Sequence, residues 1–343
     1  MNSMINRSPY ISSAPSVSII MLKVLLALVP GIAAYVWVFG GGILVTLTLA
    51  SITALASEAI ALKLRNRPIK PFLMDGSALV TAWLLALALP PLAPWWLVVL
   101  GTLFAILVAK QLYGGLGYNP FNPAMVGYAV LLISFPLIMT SWPAPLALAQ
   151  APLSFMDQFN YIFSATLPAG VSVDAISSAT PLDYLKTQLT LHHSVQAITQ
   201  APIFGVLGGK GGELVTGAYL LGGLYLLQQR IISWHLPTAF LGALALMASA
   251  FYLADATHFA NPIFHLFSGA TMLCAFFIVT DPVSGPTTPR GKLIFAAGVG
   301  ALTYLIRVYG GYPDGVAFAV LLFNICVPLI DAYTQPRVYG HEK

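Results

Sequence analysis

The sequence predicts an all-α polytopic membrane protein, with ten transmembrane helices arranged as two inverted five-helix repeats and a long loop between the halves. Three observations carry that fold class. Charged residues make up 8% of the 343 and hydrophobic residues 58%, with a mean hydropathy of +0.84, whereas soluble domains carry roughly 25% charged residues. Apolar runs of roughly 17 to 25 residues, long enough for a helix to cross the hydrocarbon layer, recur along the chain. Two stretches of the first half also return, in order, in the second.

The runs cover about 18–39, 42–62, 76–92, 94–112, 123–142, 213–232, 236–254, 263–280, 291–308 and 314–331. They divide the chain into a leader (1–17), a first membrane repeat (18–142), a loop (143–212), a second repeat (213–331) and a tail (332–343). The first run is too long for a signal-peptide core and no convincing cleavage site follows it, so it reads as a retained membrane helix. Before it, Pro9 and Pro15 among serines favour an extended leader.

Orientation follows from Lys63, Arg65, Arg67 and Lys70, the strongest basic cluster, which the positive-inside rule puts in the cytoplasm. Both termini then face the cytoplasm, with Lys110, Arg230, Arg290, Lys292, Arg337 and Lys343. Lys186, Lys210 and Arg307 fall on the other side. The loop from Pro143 to Glu213 is therefore periplasmic if the source is a Gram-negative bacterium.

The internal echo pairs "SALVTAWLLALALPP" (Ser77 to Pro91) with "SGATMLCAFFIVTDP" (Ser268 to Pro282), and the stretch Gly117 to Leu137 with Gly311 to Leu329. Five spans per half is an odd number, so the second half inserts upside down, as in many transporters. The Gly- and Pro-rich joints at the matching places suit broken or re-entrant helices, whose free backbone groups must face protein or a cavity.

Several chemistries are unsupported. The net charge of +4 comes without a basic run interleaved with aromatics, so no nucleic-acid partner is expected. Cys274 and Cys326 lie in apolar runs and build neither a disulfide framework nor an iron–sulfur site. His192 and His193 lack a third ligand at metal spacing; His235, His258 and His265 read as interfacial. Glu58 is expected to reach the interface near Lys63, and Asp75, Asp281 and Asp314, beside Gly or Pro, read as caps and turns. "FGVLGGKGGE" (Phe204 to Glu213) lacks the Walker ending and reads as a flexible or re-entrant approach to the sixth span, with N–H groups available to an anion.

One polar stretch of the loop stands apart: "DAISSAT", Asp174 to Thr180, followed by "PLDYLKT". Thr180 suits a helix N-cap, with Pro181 first and Asp183 third in the helix. Its hydroxyl is also a competent phosphoryl acceptor, and Ser178 and Ala179 are small enough to thread into a modifying enzyme. The two readings are compatible.

Long segments of the chain, among them "VLLALVPGIAAYVWVFG", "GYNPFNPAMVGYAVLLISFP", "ISSATPLDYLKT", "FSGATMLCAFFIVTDPV" and "GGYPDGVAFAVLLFNICVPLIDAYTQPRVYGH", resemble the NqrB/RnfD family. That family comprises the D subunits of Rnf electron-transport complexes and the B subunits of sodium-pumping NADH:quinone oxidoreductases, and the last segment resembles the former. The resemblance implies FMN joined through its phosphate to a threonine in the pattern D-x-x-[ST]-x-A-[ST]. Here the pattern is Asp174, Ser177, Ser178, Ala179 and Thr180, with Thr180 as acceptor; many relatives have Gly where this chain has Ser178. It further implies a flavin transferase that uses FAD, and a second, non-covalent flavin (riboflavin) near Gly117, Tyr118 and Asn119. The implied assembly is a six-subunit complex of the bacterial inner membrane, with another covalent-FMN subunit. The chain is expected to relay electrons between ferredoxin and NAD, coupled to Na⁺ or H⁺ movement, and not to be catalytic alone. The alternatives are a complex that reduces the transcription factor SoxR, a solute channel or transporter of inverted-repeat type, and a passive scaffold.

Overall fold

The computed structural model describes residues 16–312 and 314–336. Most of the predicted leader, with Pro9 and Pro15, and much of the tail, with Arg337 and Lys343, lie outside the described residues.

Each predicted apolar run contains a helix. The first half supplies α1 (Val17–Phe39), α2 (Gly42–Leu64), α3 (Ser77–Ala88), α4 (Trp95–Gln111) and α5 (Pro123–Ser134). The loop contributes strands β1 (Trp142–Pro143) and β2 (Ser177–Ser178) and helices α6 (Phe155–Ser164) and α7 (Pro181–Thr190). The second half supplies α8 (Gly212–Gln228), α9 (His235–Ala254), α10 (residues 271–278), α11 (Pro289–Tyr309) and α12 (Val316–Thr334).

Five of these, α1, α2, α9, α11 and α12, are long and apolar enough to cross a membrane. The others are shorter, and Gly or Pro bounds α3, α4, α5 and α10. Pro90, Pro91 and Pro94 end α3 and begin α4, Phe135–Pro136 breaks α5, and Gly269, at φ +61°, precedes α10. Such breaks are tolerated where the freed backbone faces protein, and α3 and α10 are among the most buried elements of the chain. Both α4 and α10 contain π-helical turns, Phe104–Gln111 and Cys274–Ile278.

Packing partners recur between the halves. Helix α2 packs on α3 and α4, as α9 packs on α10 and α11; α4 meets α5, as α11 meets α12; α1 meets α3, as α8 meets α10. The halves join through α1 against α8 and α5 against α12. In the first seam, small residues bring the backbones close: a side chain at Gly31 would strike the Tyr219 ring, and one at Gly222 the Ala27 carbonyl oxygen. Gly222→Val is therefore expected to overpack the seam and cost about 1–3 kcal/mol. Gly217→Ala on the same helix meets open space and should leave the melting temperature of the detergent-solubilised chain nearly unchanged. Equal melting of the two variants would contradict the seam.

Two clefts sit at opposite ends of the same helices. The first is lined by the C-terminal parts of α1 and α3 (Tyr35, Phe39, Leu87) and the starts of α8 and α12 (Gly212, Val215, Val316). The second is lined by the starts of α1, α3 and α5 (Ile20, Ser77, Pro123) and the ends of α8 and α10 (Leu226, Phe277).

Candidate functional site

The loop is strapped over the mouth of the first cleft. Strands β1 and β2 pair antiparallel, Trp142 opposite Ser178 and Pro143 opposite Ser177, and the Ala144 N–H donates to the Ile176 carbonyl at 3.0 Å. Ile176 is buried with Leu92 and Ile162, so α6 forms the platform beneath the strap. Gln158 fixes α6 to the α1–α2 turn, accepting from the Gly42 N–H at 2.6 Å and donating to the Phe39 carbonyl at 3.4 Å.

Two residues beyond the strap, Thr180 caps α7: its hydroxyl accepts from the Asp183 N–H at 3.2 Å, with Pro181 in the first helical position. The cap reading is borne out, and the oxygen that makes the cap lies at the cleft, which Thr180 and Pro181 help to line. Lys186, one face further along α7, donates to the Gly310 and Tyr312 carbonyls and ties the helix to the α11–α12 joint. Burial lowers its pKa, while Asp183 pulls the other way.

The Gly-rich loop completes the rim. A side chain at Gly209 would collide with the Pro181 ring. The anion expected for its N–H groups is supplied from within, because the Glu213 carboxylate accepts from Leu207 at 2.9 Å and Gly208 at 3.3 Å.

The cleft encloses about 1240 Å³ of empty space, including the part open to solvent, and its walls are mostly apolar: Phe39, Leu132, Trp142, Val215 and Leu273 among them. The same cleft carries a charged brace, with Arg307 buried and Asp314 half-buried. Asp314, itself on the wall, accepts from Arg307 at 3.1 and 3.2 Å and from the Ala270 N–H at 2.9 Å. Arg307 also donates to the His265 and Ser268 carbonyls and to the Thr271 hydroxyl. Asp314 thus does more than the turn-capping expected of it. The hydroxyls of Tyr35, Tyr219 and Ser268, all cleft-lining residues, are buried without a hydrogen-bond partner among the described residues. A flat, largely apolar group with a polar edge, tethered at Thr180, fits these walls.

The model of the NQR2, RnfD, RnfE family matches residues 4–340. The chain belongs to the NQR2, RnfD, RnfE family. Two relatives, from Shigella dysenteriae serotype 1 (strain Sd197) and from Escherichia coli (strain SE11), bear the name of the D subunit of an ion-translocating oxidoreductase complex. Each is 57% identical, over 98% of this chain and 98% of its own.

In this NQR2, RnfD, RnfE chain the predicted site residues are placed unequally. Ser177 and Ser178 lie in the strap, Ala179 follows it and Thr180 lines the cleft, whereas Asp174 is exposed on the short helical turn Val173–Ile176. Of Gly117, Tyr118 and Asn119, Asn119 alone lines the second cleft; Tyr118 is 73% exposed, and Gly117 takes a φ of +91° that suits glycine. That cleft holds about 830 Å³ of empty space and also bears Asn122, Lys110 and Asp281.

Glu58 departs from its expected place. It does not reach toward Lys63 but is 2% exposed, pairs with Lys110 at 2.7 Å and accepts from Gln111 at 2.7 Å. Two further features escaped the sequence reading. Ser268–Thr271 is a second S-x-A-T tetrad facing the first cleft, but Thr271 is fully buried and spends its hydroxyl on the His265 and Ser268 carbonyls and Arg307. Each half also places a buried base close to the start of its echoed segment: Lys110 donates to the Ser77 hydroxyl at 2.8 Å, and Arg307 to the Ser268 carbonyl at 3.3 Å. The echo that sets Ala78 over Ala270, and so brings Ser77 to within one residue of Ser268, carries the signal for that pair.

Proposed function

We propose that the chain is the D-type membrane subunit of an Rnf complex, relaying electrons between ferredoxin-side and NAD-side centres while Na⁺ or H⁺ crosses the membrane. The observation that carries this reading is the position of the Thr180 hydroxyl, at the rim of a large apolar cleft inside the helix bundle. The name of the 57% identical relatives, a component of an ion-translocating oxidoreductase complex, supports it.

In this reading FMN, linked through its phosphate to Thr180 by a flavin transferase, supplies the redox chemistry. The residues of the chain supply position and environment. The β1–β2 strap and the α7 start hold the Thr180 oxygen over the opening, the apolar walls exclude water, and Arg307 and Asp314 brace the facing turn. A tether also removes dependence on a free flavin pool, because it makes binding intramolecular. Riboflavin belongs in the second cleft, with Asn119 on its wall.

The recurrent packing and the two clefts at opposite helix ends support an inverted five-plus-five repeat. With Lys63, Arg65, Arg67 and Lys70 cytoplasmic, Thr180 faces the periplasm across the inner membrane. The partners are the other subunits of a six-subunit complex, one of them a second covalent-FMN protein.

Inverted membrane vesicles carrying the whole complex test this reading. Reduced ferredoxin should drive NAD reduction together with Na⁺ or H⁺ uptake, and Thr180→Ala should abolish both. NAD reduction that persists at the wild-type rate in that variant would remove the relay role.

A further inference from the structure

The first cleft holds more polar chemistry than its apolar walls require. Tyr35 on α1, Tyr219 on α8 and Ser268 on the turn before α10 line it, are 4%, 5% and 3% exposed, and have side-chain oxygens without a partner among the described residues. Thr303 and Tyr304, which do not line the cleft, also lack a partner, but Thr46, Thr81, Thr102 and Thr216 each donate to a carbonyl one turn back. A serine or threonine can turn its hydroxyl to its own helix in this way, whereas a phenol stands too far from its own backbone. An unpaired buried phenol is costly, and phenylalanine would fill the same space without that cost.

We infer that Tyr35, Tyr219 and Ser268 are the hydrogen-bond partners of the polar edge of the flavin ring tethered at Thr180, and that the two phenols raise its reduction potential. The inference rests on the reading of Thr180 given above. Reduction increases electron density on the ring's nitrogen and oxygen edge, so a hydroxyl donor stabilises the reduced ring more than the oxidised one. Apolar surroundings strengthen such a bond. The hydroxyl left orphaned in the bare chain is then the one the ring satisfies, while Asp314 and Arg307 satisfy each other and leave the wall without an unpaired charge.

The test compares Tyr35→Phe, Tyr219→Phe and the double variant, each made as the full chain with and without the flavin transferase. Intact mass after denaturation reports attachment, redox titration reports the potential, and thermal melting reports stability. The FMN-sized increment should persist in all variants, while the potential falls in each single variant and further in the double one. Melting should rise on substitution in the flavin-free chain, which loses an unpaired hydroxyl, and fall in the loaded chain, which loses a bond to the ring. A merely structural role gives the same sign in both. A wild-type potential in the loaded double variant, or melting shifts of the same sign, overturns the inference while the reading of Thr180 stands. A wild-type chain without the mass increment overturns both.

Discussion

Thr180→Ala should strip the chain of its FMN-sized mass increment completely, leaving a protein that still inserts and folds. The cost to stability is that of a lost N-cap, about 0.5–2 kcal/mol, because the substitution removes the one bond from the Asp183 N–H. Thr180→Ser restores both the cap and the acceptor oxygen and should recover the increment. The neighbouring hydroxyls offer no substitute: Ser177 and Ser178 are held in the strap, and Thr271 is sealed inside the bundle. Intact mass of the denatured chain and flavin fluorescence in denaturing gels read the outcome directly. An increment that survives in Thr180→Ala would move the attachment elsewhere, and its absence from wild type would end the flavoprotein reading.

The second large effect is expected at the opposite end of the bundle. Lys110→Met leaves the Glu58 carboxylate, 2% exposed, with only the Gln111 amide as a donor. Removing one partner of a buried pair costs about 3–5 kcal/mol, a large fraction of a typical folding free energy, and the yield of folded protein should fall accordingly. Adding Glu58→Gln removes the stranded charge, so the double variant should regain most of the loss. Because Lys110 also holds the Ser77 hydroxyl at the start of α3, a residual deficit of roughly one hydrogen bond, about 1 kcal/mol, should remain. Additive losses in the double variant would show that the two side chains act independently.

These two sites differ in how far the sequence reveals them. The cap at Thr180 is local: a threonine, a proline and an aspartate at fixed spacing determine it, and the helix begins where that pattern places it. The ten apolar runs are local too, since hydropathy over one helix length is a property of neighbours in the chain. Their lengths inside the bundle are not. Helices α3 and α10 stop early because surrounding helices, rather than lipid, receive their broken ends. The Glu58–Lys110 pair joins residues far apart in sequence, so the local cue for Glu58, its proximity to Lys63, points the wrong way. The orphaned phenols are non-local in the same sense, since Tyr35 and Tyr219 share a wall only once α1 and α8 pack together.

The double anchorage of Thr180 has a mechanical meaning. Two residues before it the chain is clamped in a β-pair, and immediately after it a helix begins whose proline has a fixed φ. The Thr180 oxygen is therefore a fixed pivot rather than the end of a swinging arm. A group tethered there would sweep only the radius of its own linker, and in the proposed relay any longer journey for an electron would fall to partner groups coming to the pivot.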